Sequence, residues 1–137
     1  MSQIPLQRRV GVATFFRVLV VCEAAVFLFA SALHTGAFFV PPLLAAMIVE
    51  GLCGIGFVVA AFALLTRQKW EQVAALVAHL FALVGVLVGI TVLIGNSGLR
   101  TPINITLHAI MIVLILIGLA LLALPHLREA LKRDQAV

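Results

Sequence analysis

Charged residues are scarce in this sequence. Of 137 residues, 10% are charged and 64% are hydrophobic, whereas a soluble domain is roughly one quarter charged and about half apolar. Too few charges remain to coat a water-soluble globule or to form a broad basic face for nucleic acid. Two cysteines are also too few for a disulfide-stapled secreted domain. The composition therefore predicts one domain, residues 1–137, that is a polytopic membrane protein in a lipid bilayer.

Four long apolar runs supply the predicted membrane spans. Each is long enough to cross a hydrocarbon core of about 30 Å, which takes about 20 helical residues. Helix is the expected form because an isolated strand would leave backbone groups unpaired in lipid. Short connections force neighbouring helices to run antiparallel, so we expect an all-α, up-down-up-down four-helix bundle. The predicted spans are residues 11–33, 43–65, 72–94 and 103–124.

The basic residues predict the orientation of the bundle. Of the nine, only Arg100 falls at the end of the bundle that holds the first and third connections. The positive-inside rule then places both termini in the cytoplasm. The other eight flank the opposite end: Arg8, Arg9, Arg17, Arg67, Lys69, Arg128, Lys132 and Arg133.

Ionisable residues within the spans are candidates for function, because each costs a few kcal/mol to insert. At about 1.5 Å per helical residue, Glu23, Glu50 and His108 lie within ~15 Å of the outer face, and His34 lies at its edge. His79 lies instead ~10 Å from the cytoplasmic face.

Helical periodicity groups these residues further. Glu23 and His34 are eleven residues apart and share one helix face. Asn104, His108 and Met111 form a stripe with i, i+4, i+7 spacing. We therefore predict a polar pocket that opens to the outer side. Its lining is Glu23, His34, Glu50, Asn104 and His108.

Such a pocket has several interpretations. Two carboxylates at similar depth could share a proton or hydrogen-bond a quinone-like carbonyl. With Met47 or Met111, the same groups could ligate a metal. The acids and imidazoles could also pair only to hold the helices together. Bis-histidine haem is disfavoured for His79 and His108, because their depths differ by roughly 12 Å.

Other residues have structural interpretations. Cys22 and Cys53 are expected to be small apolar fillers, with a quinone-linked thiol pair as the alternative. Trp70 and the pair at 38–39 (Phe-Phe) are expected to anchor the interfaces. A stripe of small residues along the third span favours close helix packing, within the bundle or between two copies. The stripe comprises Ala74, Ala78, Ala82, Gly85 and Gly89.

One segment carries a family resemblance. The stretch 49–56 (VEGLCGIG), followed by an apolar run and Thr66-Arg67, resembles the second-helix pattern of the DoxX-like superfamily of small four-helix membrane proteins. In that pattern an acid begins a glycine-rich helix, and Glu50 occupies its place. The resemblance implies a bacterial inner-membrane protein. It also implies an accessory role in quinone-linked sulfur or thiol redox.

The sequence thus predicts a membrane protein that binds a quinone-like or other lipophilic small molecule, in an accessory rather than a catalytic role. One alternative is a structural subunit of a larger membrane complex, or of a homo-oligomer. Another is a haem or metal carrier. No catalytic triad or nucleotide motif occurs in the sequence.

Overall fold

The computed structural model describes residues 6–37 and 42–134 and is helical throughout, with no strand in those ranges. The four predicted spans are confirmed to within a few residues, apart from the start of α1. That helix begins five residues before the predicted span, at Leu6. The helices are α1 (Leu6–Ala32, continued by a π-helical turn at Leu33–Ala37), α2 (Leu44–Leu65), α3 (Glu71–Gly95), α4 (Pro102–Ala123) and α5 (Pro125–Asp134), with a 3-10 turn at Ser97–Leu99 before α4.

The first two helices run antiparallel. In the first half of α1, Nε of Arg17 donates to the carbonyl of Leu64, 3.1 Å away near the end of α2. Near the end of α1, Oγ of Ser31 donates to the carbonyl of Met47, 2.7 Å away near the start of α2. Each remaining helix packs on its neighbour in the chain, and α4 closes the ring on α1. The result is the expected up-down-up-down bundle.

Close packing of α3 on α4 depends on two glycines. A Cβ on Gly89 would lie 2.5 Å from Nε2 of His108, and a Cβ on Gly118 would collide with Nε2 of His79. Each histidine thus lies against a glycine of the opposite helix. On α3, Ala78 and Ala82 are buried as well. The small-residue stripe of α3 therefore packs within the bundle.

The outward faces of the spans are apolar. Large hydrophobic side chains are about half exposed on each of the four spans, among them Phe15 on α1, Val58 on α2, Leu80 on α3 and Val113 on α4. An apolar surface that surrounds the whole molecule is suited to lipid and not to water. All four helices are long and apolar enough to cross a membrane.

Three arginines bind the carbonyls at helix ends. Besides Arg17 at the end of α2, Nε of Arg100 donates to the carbonyl of Leu93 at 3.0 Å, near the end of α3. Likewise, Nε of Arg128 donates to the carbonyl of Leu122 at 2.7 Å, near the end of α4. Terminal carbonyls have no partner within their own helix, so these cations satisfy them.

The last helix packs against the bundle. Leu127 and Leu131 of α5 are fully buried, and α5 contacts both α1 and α4. We call this end of the bundle, where α1 starts and α4 finishes, the terminal end. The opposite end, which holds the π-helical turn and the 3-10 turn, is the connection end. Trp70, 43% exposed, precedes α3 at the terminal end, and the expected anchors at 38–39 lie outside the described residues.

Candidate functional site

A cavity of about 120 Å³ lies between the four spans at the connection end. Its lining includes four of the five predicted site residues: His34, Glu50, Asn104 and His108. The rest of the lining is mainly apolar and comes from all four spans. It comprises Phe27, Leu43, Ala45, Ala46, Val49, Cys53, Gly85, Val86, Val88, Gly89, Val92, Leu93, Leu99 and Met111.

The π-helical turn brings His34 to Glu50. Gly36 has a φ of 86°, which ends the helical path two residues after His34, and glycine is the residue that adopts this conformation without strain. The backbone N–H of Leu43 then donates to the carbonyl of His34 at 3.0 Å. Nδ1 of His34 lies 2.7 Å from Oε2 of Glu50, and both residues are buried. A contact this short has one hydrogen between the two atoms.

The hydrogen bonds of His108 fix which ring nitrogen carries its hydrogen. Nδ1 lies 2.8 Å from the backbone carbonyl of Asn104, one turn earlier on α4. A carbonyl oxygen only accepts, so Nδ1 is the donor. Nε2 of His108 then lies close to Gly89 on the cavity wall.

Asn104 is anchored on one side only. Its Nδ2 donates to the carbonyl of Leu99 at 3.0 Å, and its backbone N–H donates to Oγ1 of Thr101, the N-cap of α4, at 3.2 Å. Its Oδ1 is buried and has no hydrogen-bond partner among the described residues. A buried acceptor in this state costs about 1–3 kcal/mol, so a partner from outside the chain would stabilise it.

The wall of the cavity includes residues that also face the lipid-exposed surface of α2 and α3. Three lining residues, Ala45 on α2 with Val88 and Val92 on α3, are themselves exposed. All three are apolar, so this thin part of the wall borders the hydrocarbon region that surrounds the spans. Inside, the polar groups converge while Phe27 and Met111 form fully buried apolar walls.

The structure places Glu23 away from this cavity. Its Oε2 lies 3.2 Å from Nε2 of His79, and both side chains are fully buried. Neither atom has an aligned hydrogen bond. The rings of Phe16 and Phe57 pack on His79 with centroids 6.0 and 5.1 Å away. Glu23 and His79 therefore form a second polar group in the bundle centre, at a distance from the cavity.

Two features place Glu23 beside His79 rather than beside His34. Even on a shared helix face, the eleven residues between Glu23 and His34 set them about 16 Å apart along the bundle. The depth estimates also separate Glu23 from His79 by only ~5 Å. A diagonal contact across the bundle spans that difference easily.

The histidine pattern bears on haem and metal ligation. His79 lies against Gly118 and His108 against Gly89. Ten residues of helix, about 15 Å, thus separate the two rings along the bundle, which is too far for both to ligate one iron. Within residues 6–37 and 42–134, no three His, Cys, Asp or Glu side chains are grouped to hold a metal ion.

Both cysteines are free thiols. Cys22 is exposed on the outside of α1, and Cys53 is buried on α2, where it lines the cavity. Cys53 thus acts as a small apolar filler of the wall, as expected, whereas the same expectation for Cys22 is wrong because its side chain is on the outer surface of α1. The residue that sequence reasoning missed is Glu71, which is fully buried at the start of α3. Its position at the edge of a predicted loop gave no signal of burial.

Comparison with known proteins adds no relative: the sequence matches no family model, no curated protein and no solved structure.

Proposed function

We propose that this protein binds the ring-shaped head group of a lipophilic small molecule in the cavity at the connection end. The observation that carries the proposal is the cavity itself, apolar over most of its wall and polar at His34, Glu50, Asn104 and His108. Binding sites for small molecules typically combine apolar walls with a few convergent polar groups.

The size of the cavity suits one ring. An engineered apolar cavity of about 150 Å³ binds benzene, and the cavity here measures about 120 Å³. A longer apolar tail would not fit inside. It would leave past the thin part of the wall at Ala45, Val88 and Val92 and lie in the surrounding lipid. A quinone-like molecule has this division into a polar ring and an apolar tail.

The charge distribution supports one orientation. Arg17, Arg67, Lys69 and Arg128 belong to the terminal end, whereas Arg100 lies at the connection end. By the positive-inside rule, we propose that the terminal end faces the cytoplasm and the cavity lies in the outer half of the bilayer. The DoxX-like resemblance of residues 49–56 (VEGLCGIG) supports a bacterial inner membrane and a quinone-linked accessory role.

The experiment is a binding titration with a short-tailed benzoquinone on protein in lipid nanodiscs. Ala46, on the cavity wall, is replaced by Phe to fill the space. Ile48, 48% exposed on the same helix and outside the lining, is replaced by Phe as the control. We expect saturable binding by the wild type and Ile48→Phe, and none by Ala46→Phe. Equal binding by all three would refute the proposal.

A further inference from the structure

We propose that the cavity selects a ligand whose ring carries a hydrogen-bond donor, namely a hydroxyl group, over one that carries only acceptors. The inference rests on the proposed function, since it concerns the same cavity. It assigns the ligand class as phenol-like or hydroquinone-like. The fully oxidised quinone, whose ring oxygens only accept, is then the weaker ligand of a redox pair.

His108 supplies one hydrogen-bond acceptor to the cavity. Its Nδ1 hydrogen is committed to the carbonyl of Asn104, 2.8 Å away. With Nδ1 as the donor to that carbonyl, the neutral imidazole has its lone pair on Nε2. That nitrogen is an acceptor on the cavity wall.

Asn104 supplies a second hydrogen-bond acceptor. The carbonyl of Leu99 accepts from its amide at 3.0 Å, and this identifies the bonded atom as Nδ2. The other amide atom, Oδ1, is therefore the one left without a partner. The side chain is 3% exposed and lines the cavity. Its oxygen offers a ligand a free acceptor, and one of its two Nδ2 hydrogens is committed to Leu99.

Asn104 and His108 are four residues apart, so both acceptors lie on one face of α4, about 6 Å between their Cβ atoms. His34 and Glu50 already share a hydrogen with each other. A ligand hydroxyl would satisfy an acceptor of α4, whereas a carbonyl or ether oxygen would set two lone pairs against each other. Unsatisfied buried acceptors are costly, which makes this difference selective.

The test compares 4-pentylphenol with 4-pentylanisole, which is similar in shape but lacks the hydroxyl hydrogen. Protein carrying 13C-methyl methionine is titrated in nanodiscs, with affinity expressed as mole fraction of lipid. Met111 lines the cavity and reports occupancy, whereas Met47 lies outside the lining and serves as the internal control. We expect the phenol to bind about tenfold more tightly than the anisole.

Variants test the assignment of the acceptor. Asn104→Leu removes Oδ1, and we expect it to reduce the preference to about threefold or less. Thr106→Leu makes a similar change at an exposed position of α4 and should keep the full preference. If the leucine variant of Asn104 does not fold, the wild-type ratio decides alone.

The outcomes separate this inference from the proposed function. If the anisole shifts Met111 at the same mole fraction as the phenol, the cavity binds lipophiles but the donor requirement is wrong. If neither compound shifts Met111 selectively, the proposed function is wrong as well. A tenfold preference that disappears in Asn104→Leu supports both.

Discussion

The imidazole of His34 and the carboxylate of Glu50 meet where α1 ends and α2 begins, with Nδ1 lying 2.7 Å from Oε2. The contact joins two elements on the cavity wall and occurs within the apolar part of the bundle. Each group satisfies the other's need for a buried hydrogen-bond partner. The pair therefore stabilises the connection between α1 and α2 and, through it, the shape of the cavity.

The first prediction concerns the energy of this pair. We expect a double-mutant cycle of His34→Ala and Glu50→Ala to give a coupling free energy of about 0.6–1.7 kcal/mol, from the average to the maximum that such cycles give for hydrogen bonds between membrane helices. Unfolding in mixed micelles measures it. A coupling free energy near zero would mean that the pair makes no stabilising contact.

The second prediction concerns ligand binding at Glu50. Glu50→Gln keeps a side chain of the same length and a hydrogen bond to His34, so we expect an intact bundle. It removes the carboxylate from the cavity, and we expect affinity for 4-pentylphenol, whose hydroxyl is able to donate to that carboxylate, to fall about tenfold, the loss of one buried polar interaction. Titration in nanodiscs measures this fall. Unchanged affinity would mean that the Glu50 carboxylate makes no interaction with the ligand.

The third prediction uses the second polar group as a contrast. Glu23 contacts His79 in the bundle centre and is absent from the cavity lining. We therefore expect Glu23→Gln to leave ligand affinity unchanged, in the same titration that Glu50→Gln weakens. Nδ1 of His79 donates to the carbonyl of Ala75 at 2.6 Å, so the amide of a glutamine is able to donate to Nε2 and keep the bundle folded. A loss of affinity as large as that of Glu50→Gln would contradict this prediction, because it would mean that Glu23 takes part in ligand binding.

The fourth prediction concerns the contact between α3 and α4. A Cβ on Gly118 would collide with His79, so we expect Gly118→Ala to lower the free energy of unfolding by about 1–3 kcal/mol. Gly11→Ala is the control, because a Cβ there meets nothing within 4 Å. The control should be neutral or slightly stabilising, since alanine is the better helix former. Equal effects of the two substitutions would contradict the close contact.

Much of the fold follows from the sequence for a simple reason. An apolar run of about 20 residues has one stable form in lipid, and the ends of such runs are marked by prolines, glycines and charges. The span predicted at 43–65 is a helix at Leu44–Leu65, and the one predicted at 103–124 is a helix at Pro102–Ala123. These boundaries depend on local chemistry, which a single sequence contains.

The site was only partly predictable because its assembly depends on details between helices. Asn104 and His108 come together by their four-residue spacing on one helix. The contact of His34 with Glu50 depends instead on the π-helical turn, and that of Glu23 with His79 on a diagonal approach. The sequence signal for the turn was Gly36, two residues after His34, where a positive φ ends the helical path.

The most direct measurement of the central claim is native mass spectrometry of the protein released gently from its own membranes. If the cavity binds a lipophilic molecule, the wild type and Ile48→Phe should each carry a reproducible extra mass, that of one such molecule. The same mass should be missing from Ala46→Phe, whose new ring fills the cavity. A bare wild-type mass, or the same bound molecule on Ala46→Phe, would contradict the account.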